Sequence, residues 1–168
     1  KCVHTTLKKY KIKNIVLDPV MISKGGSRLV NSNSIKYLKK LLLPLCSIVT
    51  PNIPEAEVLT GCSILNKEDM IKAAKKIISM GAKNVLLKGG HLQNKMIFDI
   101  LVSKKKIVVF PKRKIKTRHT HGTGCTLSSA LATCLSQKIN IEKSCRISLR
   151  YVDHAILTAP RYGKGYGP

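Results

Sequence analysis

The stretch NKEDMIKAAKKIISMGAKNVLLKGG, residues 66–90, sets a helix directly before a strand. Met70, Ile71, Ala74, Ile77 and Ile78 recur at helical spacing, so residues 66–80 have one apolar face and one charged face. Gly81 follows as the C-terminal cap. Residues 84–88 then form a short apolar run that ends in Lys88 and two glycines, the pattern of a strand buried on both faces. A helix lying against such a strand is the repeating unit of an α/β sheet.

The same alternation extends in both directions. Upstream, residues 13–18 (KNIVLD) and 45–50 read as two more buried parallel strands. Pro19 forces the chain out of the first. Residues 23–30 form a Gly-rich loop, and 33–43 a helix with Ile35, Leu38, Leu41 and Leu42 on one face, closed by Pro44. Residues 51–61 open with a turn and continue as a short helix, with Pro54 at its first position and Gly61 at its cap. Downstream, 95–102 and 106–110 read as a hairpin around Ser103, Lys104 and Lys105. Residues 114–117 read as a further edge segment, and 122–137 and 141–159 as two helices. The expected fold is therefore a mostly parallel sheet covered on both faces, in one domain over residues 1–168. No repeat or composition shift marks a linker.

The bulk composition narrows the function. A formal charge of +23 over 168 residues fits either a binder of phosphate-rich surfaces or compositional drift that enriches Lys, Ile and Asn together. Lys outnumbers Arg and is spread along the chain. Aromatics are 4% and Trp is absent, so stacking platforms for bases are scarce. Drift is the better reading, and specific nucleic-acid recognition is not expected. No run of eighteen apolar residues suggests a membrane span. The six cysteines form no C-x-x-C pair and no zinc spacing. They read as free thiols in a reducing, cytoplasmic compartment, most of them buried. The chain opens on Lys1 without a signal peptide's apolar core, as a fragment or trimmed piece would.

The chemistry concentrates at the ends of the strands. In THGTGCTLSSALATCL (120–135), two glycines lead straight into strong helix formers. Free amides and the positive end of the helix dipole there make an anion site suited to phosphate. It is neither a P-loop nor a dinucleotide fingerprint. Cys125 falls on the first turn, where the thiolate is favoured and a general base could be built. Asp18, Asn52 and Glu55 end or follow strands, where carboxylates can hold Mg²⁺ through water. Lys88 closes a strand before Gly89 and Gly90. His91, His119 and His121 read as loop hydrogen-bonders rather than ligands.

Four segments in register carry a resemblance: LDPVMISKGGSRLV (17–30), VTPNIPEAEVLTG (49–61), MGAKNVLLKGGHL (80–92) and THGTGCTLSSALA (120–132), with YGKGYGP (162–168) at the end. Together they resemble the hydroxymethylpyrimidine/phosphomethylpyrimidine kinases of thiamine biosynthesis, within the ribokinase-like superfamily. The resemblance implies a three-layer α/β fold and two successive phosphoryl transfers from Mg-ATP, first to a hydroxymethylpyrimidine and then to its monophosphate. It implies an anion hole at Gly122, Thr123, Gly124 and Cys125, with Cys125 also as the base. Asp18 and Glu55 are implied as magnesium-side carboxylates with Asn52 in support. Lys88 is implied near the transferred phosphate, and Lys164 as a tail lysine closing on the phosphates. Family members often form dimers, so a homodimer is expected.

The resemblance also implies an upstream portion bearing the first sheet strands and the pyrimidine-reading pocket wall. The chain is thus expected to be the C-terminal two-thirds of the domain, with an unpaired sheet edge. The alternatives are a pyridoxal kinase-type enzyme and an inactive fragment with non-specific nucleic-acid affinity.

Overall fold

A computed structural model of the chain describes residues 1–21, 29–90, 96–117 and 119–160. Five strands form one sheet in the order β1-β2-β3-β4-β5: β1 (Val16–Leu17), β2 (Ile48–Val49), β3 (Asn84–Leu87), β4 (Met96–Ser103) and β5 (Ile107–Arg113). The pairs β1–β2 and β2–β3 are parallel, while β4 is antiparallel to both neighbours. Four of the five strands therefore point the same way, and β4 alone returns as the hairpin's first arm. Among the described residues β1 and β5 each have one neighbour, so the sheet has an edge at either side.

The strand faces alternate, and this alternation builds two cores. Val85 and Leu87 of β3, Ile100 and Val102 of β4 and Val49 of β2 point to one side. There they meet Leu43, Ile53, Leu59, Met70 and Ile77. Leu86, Leu101 and Ile48 point to the other side, against Leu127, Leu131, Cys145 and Leu149. The first layer holds α2 (Ser32–Tyr37), α3 (Ile53–Thr60) and α4 (Lys67–Ser79). The second holds α5 (Thr123–Ser136) and α6 (Ile141–Leu157). The three-layer arrangement is the one the alternation predicts.

Local signals set the boundaries. Asn66 caps α4, its side chain accepting from the Asp69 N–H at 2.9 Å. The chain leaves α4 through Gly81 at φ 110, a left-handed position that favours glycine. Gly61 ends α3 at φ 70 in the same way.

Three expectations differ from what is observed, and one element was not foreseen. A further helix, α1 (Cys2–Lys9), precedes β1 and buries no side chain. The helix expected over 33–43 loosens after Tyr37 into a π-helical turn, Leu38–Leu42, and a 3₁₀ turn, Leu43–Leu45. Pro44 lacks the N–H an α-helix needs, so the ladder changes pitch as it approaches. The residues 114–117 are not a strand; β5 itself runs on to Arg113 through Pro111, which an edge strand tolerates. Three of the six thiols, Cys46, Cys134 and Cys145, are buried, and the other three are exposed. Burial pushes the Cys46 and Cys145 thiols up to about 12, so both stay protonated.

Candidate active site

The C-terminal ends of β1, β2 and β3 lie side by side, and each delivers a polar side chain. Asp18 follows β1, Thr50 and Asn52 follow β2, and Lys88 follows β3. An isolated parallel bridge between Asn52 and Lys88 carries the β2–β3 pairing past the strands proper. The Lys88 N–H donates to the Pro51 carbonyl at 2.9 Å, which sets the height at which this lysine leaves the sheet.

Asp18 and Lys88 meet. Lys88 Nζ lies 3.2 Å from Asp18 Oδ1, and both side chains are largely shielded from solvent. The buried Thr50 hydroxyl donates to the same Oδ1 at 3.1 Å. Thr50 was not singled out from the sequence; its only signal was a hydroxyl ending an apolar strand.

Glu55 and Asn52 form a capping box at the start of α3. The Asn52 N–H donates to Glu55 Oε2 at 2.8 Å, and the Glu55 N–H donates to Asn52 Oδ1 at 2.9 Å. Burial pushes the Glu55 carboxyl up. The Asn52 amide and the Lys88 charge pull it down, and the Asp18 charge adds to the rise. The fold therefore binds this proton more tightly than the unfolded chain does. Ionising Glu55 costs stability, a cost absent below about 4.5 and complete once the pH passes the raised folded value. Glu55→Gln keeps an acceptor for the Asn52 N–H and removes the titration. Its melting temperature relative to the parent chain should climb as pH rises from about 4.5 and then level off. Calorimetry across the acid-to-neutral range checks this; a pH-independent difference contradicts it.

The glycine loop comes to the same place from the opposite layer. Gly122, at φ 77, is the N-cap of α5, and no side chain caps the helix. The first-turn amides of Thr123, Gly124 and Cys125 have no intrahelical acceptor, which leaves them for a ligand. The Thr123 hydroxyl donates to the Thr120 carbonyl at 3.0 Å and braces the turn. A methyl group on Gly124 would stand 3.2 Å from Asp18 Oδ2 and 3.5 Å from Lys88 Nζ. The helix start thus lies against the Asp18–Lys88 pair, and a side chain there would press on Asp18 Oδ2. Cys125, one residue on, is exposed.

Beside the loop is a cavity of about 290 Å³ lined in part by His121, Thr123, Thr126, Val152 and Ala155. A wider hollow of about 840 Å³, lined in part by Lys75, Lys83 and Lys104, lies at the far end of the sheet, away from these groups. Lys164 lies outside the described residues, as does His91.

A magnesium ion fits this donor set only in one form. Among the described residues no three His, Cys, Asp or Glu side chains gather as a cage. Asp18 and Glu55 are close enough to repel one another, and Mg²⁺ is commonly held by one or two carboxylates with waters and substrate phosphates. The residues fit an ion that arrives with phosphate.

The layered sheet, with a glycine loop opening a helix across its strand ends, places the chain in the ribokinase-like class of α/β proteins. The sequence profile described as phosphomethylpyrimidine kinase matches residues 1–168, and the chain belongs to that family. It is 44% identical over 162 residues to the thiamine biosynthesis bifunctional protein ThiED of Geobacter sulfurreducens, covering 96% of this chain and 33% of that protein. It is 38% identical to the hydroxymethylpyrimidine/phosphomethylpyrimidine kinase of Bacillus subtilis, covering 95% and 59%. Among solved structures, the phosphomethylpyrimidine kinase of Clostridium difficile superposes with a TM-score of 0.79 at 42% identity, over 92% of this chain and 62% of that one. The pyridoxal kinase of Staphylococcus aureus in complex with AMP-PCP and pyridoxal gives 0.91 at 27% identity, over 100% and 61%. The chain spans about one third to just under two thirds of the length of these curated relatives.

Proposed function

We propose that residues 1–168 form the catalytic part of a single kinase domain. It transfers phosphate from ATP to 4-amino-5-hydroxymethyl-2-methylpyrimidine and then to the resulting monophosphate, in thiamine diphosphate biosynthesis. The carrying observation is the contact of Gly124, on the uncapped first turn of α5, with the Asp18–Lys88 pair. Phosphoryl transfer needs positioning and electrostatic stabilisation above all, and this juxtaposition offers backbone amides, an ammonium and a carboxylate within one small space.

The amides of Thr123, Gly124 and Cys125 receive the γ-phosphate oxygens as charge spreads over them. Lys88 lies on the same oxygens, held in place by Asp18. The substrate hydroxyl gives its proton to Cys125 Sγ while its oxygen bonds to the γ-phosphorus. The bond from that phosphorus to the ADP oxygen breaks, and the electron pair leaves with ADP. Asp18 and Glu55 are the residues that would hold Mg²⁺, which would supply neutralisation of phosphate charge. The cavity beside Thr123 and Thr126 takes the nucleoside end of ATP. Lys164 closes on the phosphates from the tail.

A second reading is pyridoxal phosphorylation, favoured by the superposition on a pyridoxal kinase at a TM-score of 0.91. No helix among the described residues is long and apolar enough to cross a membrane. The proposed enzyme is cytoplasmic and a homodimer, both carried over from the family resemblance.

The test is phosphorylation of both alcohols by this chain with Mg-ATP, beside a version joined at its N-terminus to the part of the Bacillus subtilis relative that this chain does not cover. Transfer to the pyrimidine, by either version, with pyridoxal a weak competitor, is the expected result. Preference for pyridoxal favours the second reading. No transfer by either folded version overturns both.

A further inference from the structure

One buried charge stands outside the site just described. β4 reads MIFDILVS, and Asp99 is the single ionisable residue in that apolar run. It is 3% exposed. A carboxylate in such a place must be fully partnered, and the partners lead back to the site.

Asp99 Oδ1 accepts the Gly89 N–H at 3.0 Å. Gly89 is the residue after Lys88. Asp99 Oδ2 lies 3.0 Å from Lys112 Nζ on β5, and Lys112 Nζ donates at 2.9 Å to Asp153 Oδ1 on α6. Burial pulls the Lys112 ammonium down, but the two carboxylates more than offset this and hold it above the ordinary lysine range, so it stays charged. Gly89 is also pressed against β4. A methyl group there would sit 2.2 Å from the Phe98 carbonyl oxygen. The peptide after Lys88 is thus clamped from two sides, by the Phe98 backbone and by the Asp99 carboxylate. On its other side the Lys88 N–H is tied to Pro51. The backbone that aims Lys88 at Asp18 has no slack.

We propose that Asp99 is a positioning residue: its buried carboxylate holds the Gly89 amide and so fixes the direction in which Lys88 is presented to the transferred phosphate. Lys112 and Asp153 neutralise and anchor that carboxylate from β5 and α6. The inference rests on the proposed phosphoryl transfer for its kinetic consequence, but not for its structural one.

Two double variants separate the acceptor from the charge. Asp99→Asn/Lys112→Met keeps an oxygen for the Gly89 N–H and removes one charge of each sign. Asp99→Leu/Lys112→Met removes the oxygen as well, with similar bulk. Both leave Asp153, which is partly exposed, to solvent. The first readout is the Lys88 ammonium resonance, assigned with Lys88→Arg, and its response to added Mg-ATP. The Asn double should match the parent chain, and the Leu double should lose the resonance's distinct position and its response. The second readout is transfer kinetics. The Leu double should lose at least thirtyfold in kcat with KM for ATP within threefold, and the Asn double should stay within threefold in both.

Equal behaviour of the two doubles in resonance, or in kcat where the parent chain transfers phosphate, overturns the proposal. If the Leu double does not fold, the Asn double alone decides: a loss above tenfold contradicts the positioning role, because its acceptor is intact. If no version transfers phosphate, the proposed function fails while the Lys88 resonance still reports on Asp99.

Discussion

Cys125→Ala is expected to cut phosphoryl transfer by about a thousandfold, within the range that a general base contributes, while leaving the fold untouched. Cys125 is exposed on the first turn of α5 and packs into neither core. Removing its sulfur creates no cavity, and alanine is an excellent helix former. The melting temperature should therefore hold. On the proposed mechanism, what the variant lacks is an acceptor for the hydroxyl proton beside the first-turn amides. Those amides belong to the backbone and survive, so ATP affinity should change little. Rapid-quench measurement of transfer, with ATP binding measured separately, reads both effects. Turnover within a few-fold of the parent chain rejects Cys125 as the base and leaves the anion hole in place.

Gly89→Ala is expected to destabilise the fold by about 3 kcal/mol, at the upper end of what overpacking costs. Its φ is not the issue. The Cβ would stand 2.2 Å from a backbone oxygen, that of Phe98, and a backbone cannot swing aside as a flexible side chain does. Either β3 moves away from β4, or the Gly89 peptide rotates and gives up its 3.0 Å bond to Asp99. Both routes also turn Lys88 out of register with Asp18. At roughly 3 °C per kcal/mol for a chain of this size, the melting temperature should fall by about 10 °C. Gly90→Ala, which meets nothing within 4 Å, is the control and should fall far less. Similar losses at the two positions contradict the packing argument.

These effects sit at positions of different legibility. The helix of residues 66–80 could be read almost to the residue, because its apolar spacing and the glycine after it agree; that Asn66 caps it came only with the structure. The three buried strands were placed by their apolar runs, and Asp18, Asn52 and Lys88 by standing at strand ends. The glycine loop was legible as a helix start because glycines preceded strong helix formers. Its contact with Asp18 and Lys88 was not, since more than thirty residues separate Gly124 from Lys88 in sequence. Only the stacking of α5 over the sheet brings them together.

The roles of Thr50 and Asp99 were missed for a related reason. A hydroxyl or carboxylate in a strand acquires meaning from its partners across the sheet, and single-strand pattern gives no register. Asp99 did leave a trace, as a charge in a run that should have been wholly apolar. The π-helical turn after α2 was hidden as well: Pro44 signals that the helix must end, but not the pitch at which the ladder gives way before it.

The most direct test of the site is a titration of the isotope-labelled chain with Mg-ATP, followed through backbone amides and lysine ammonium groups. The amides of Thr123, Gly124 and Cys125 and the Lys88 ammonium should shift together along one saturable curve, with Glu55 and Asn52 following. Shifts spread over the surface lysines with no saturation, or centred on the hollow by Lys75, Lys83 and Lys104, would contradict it.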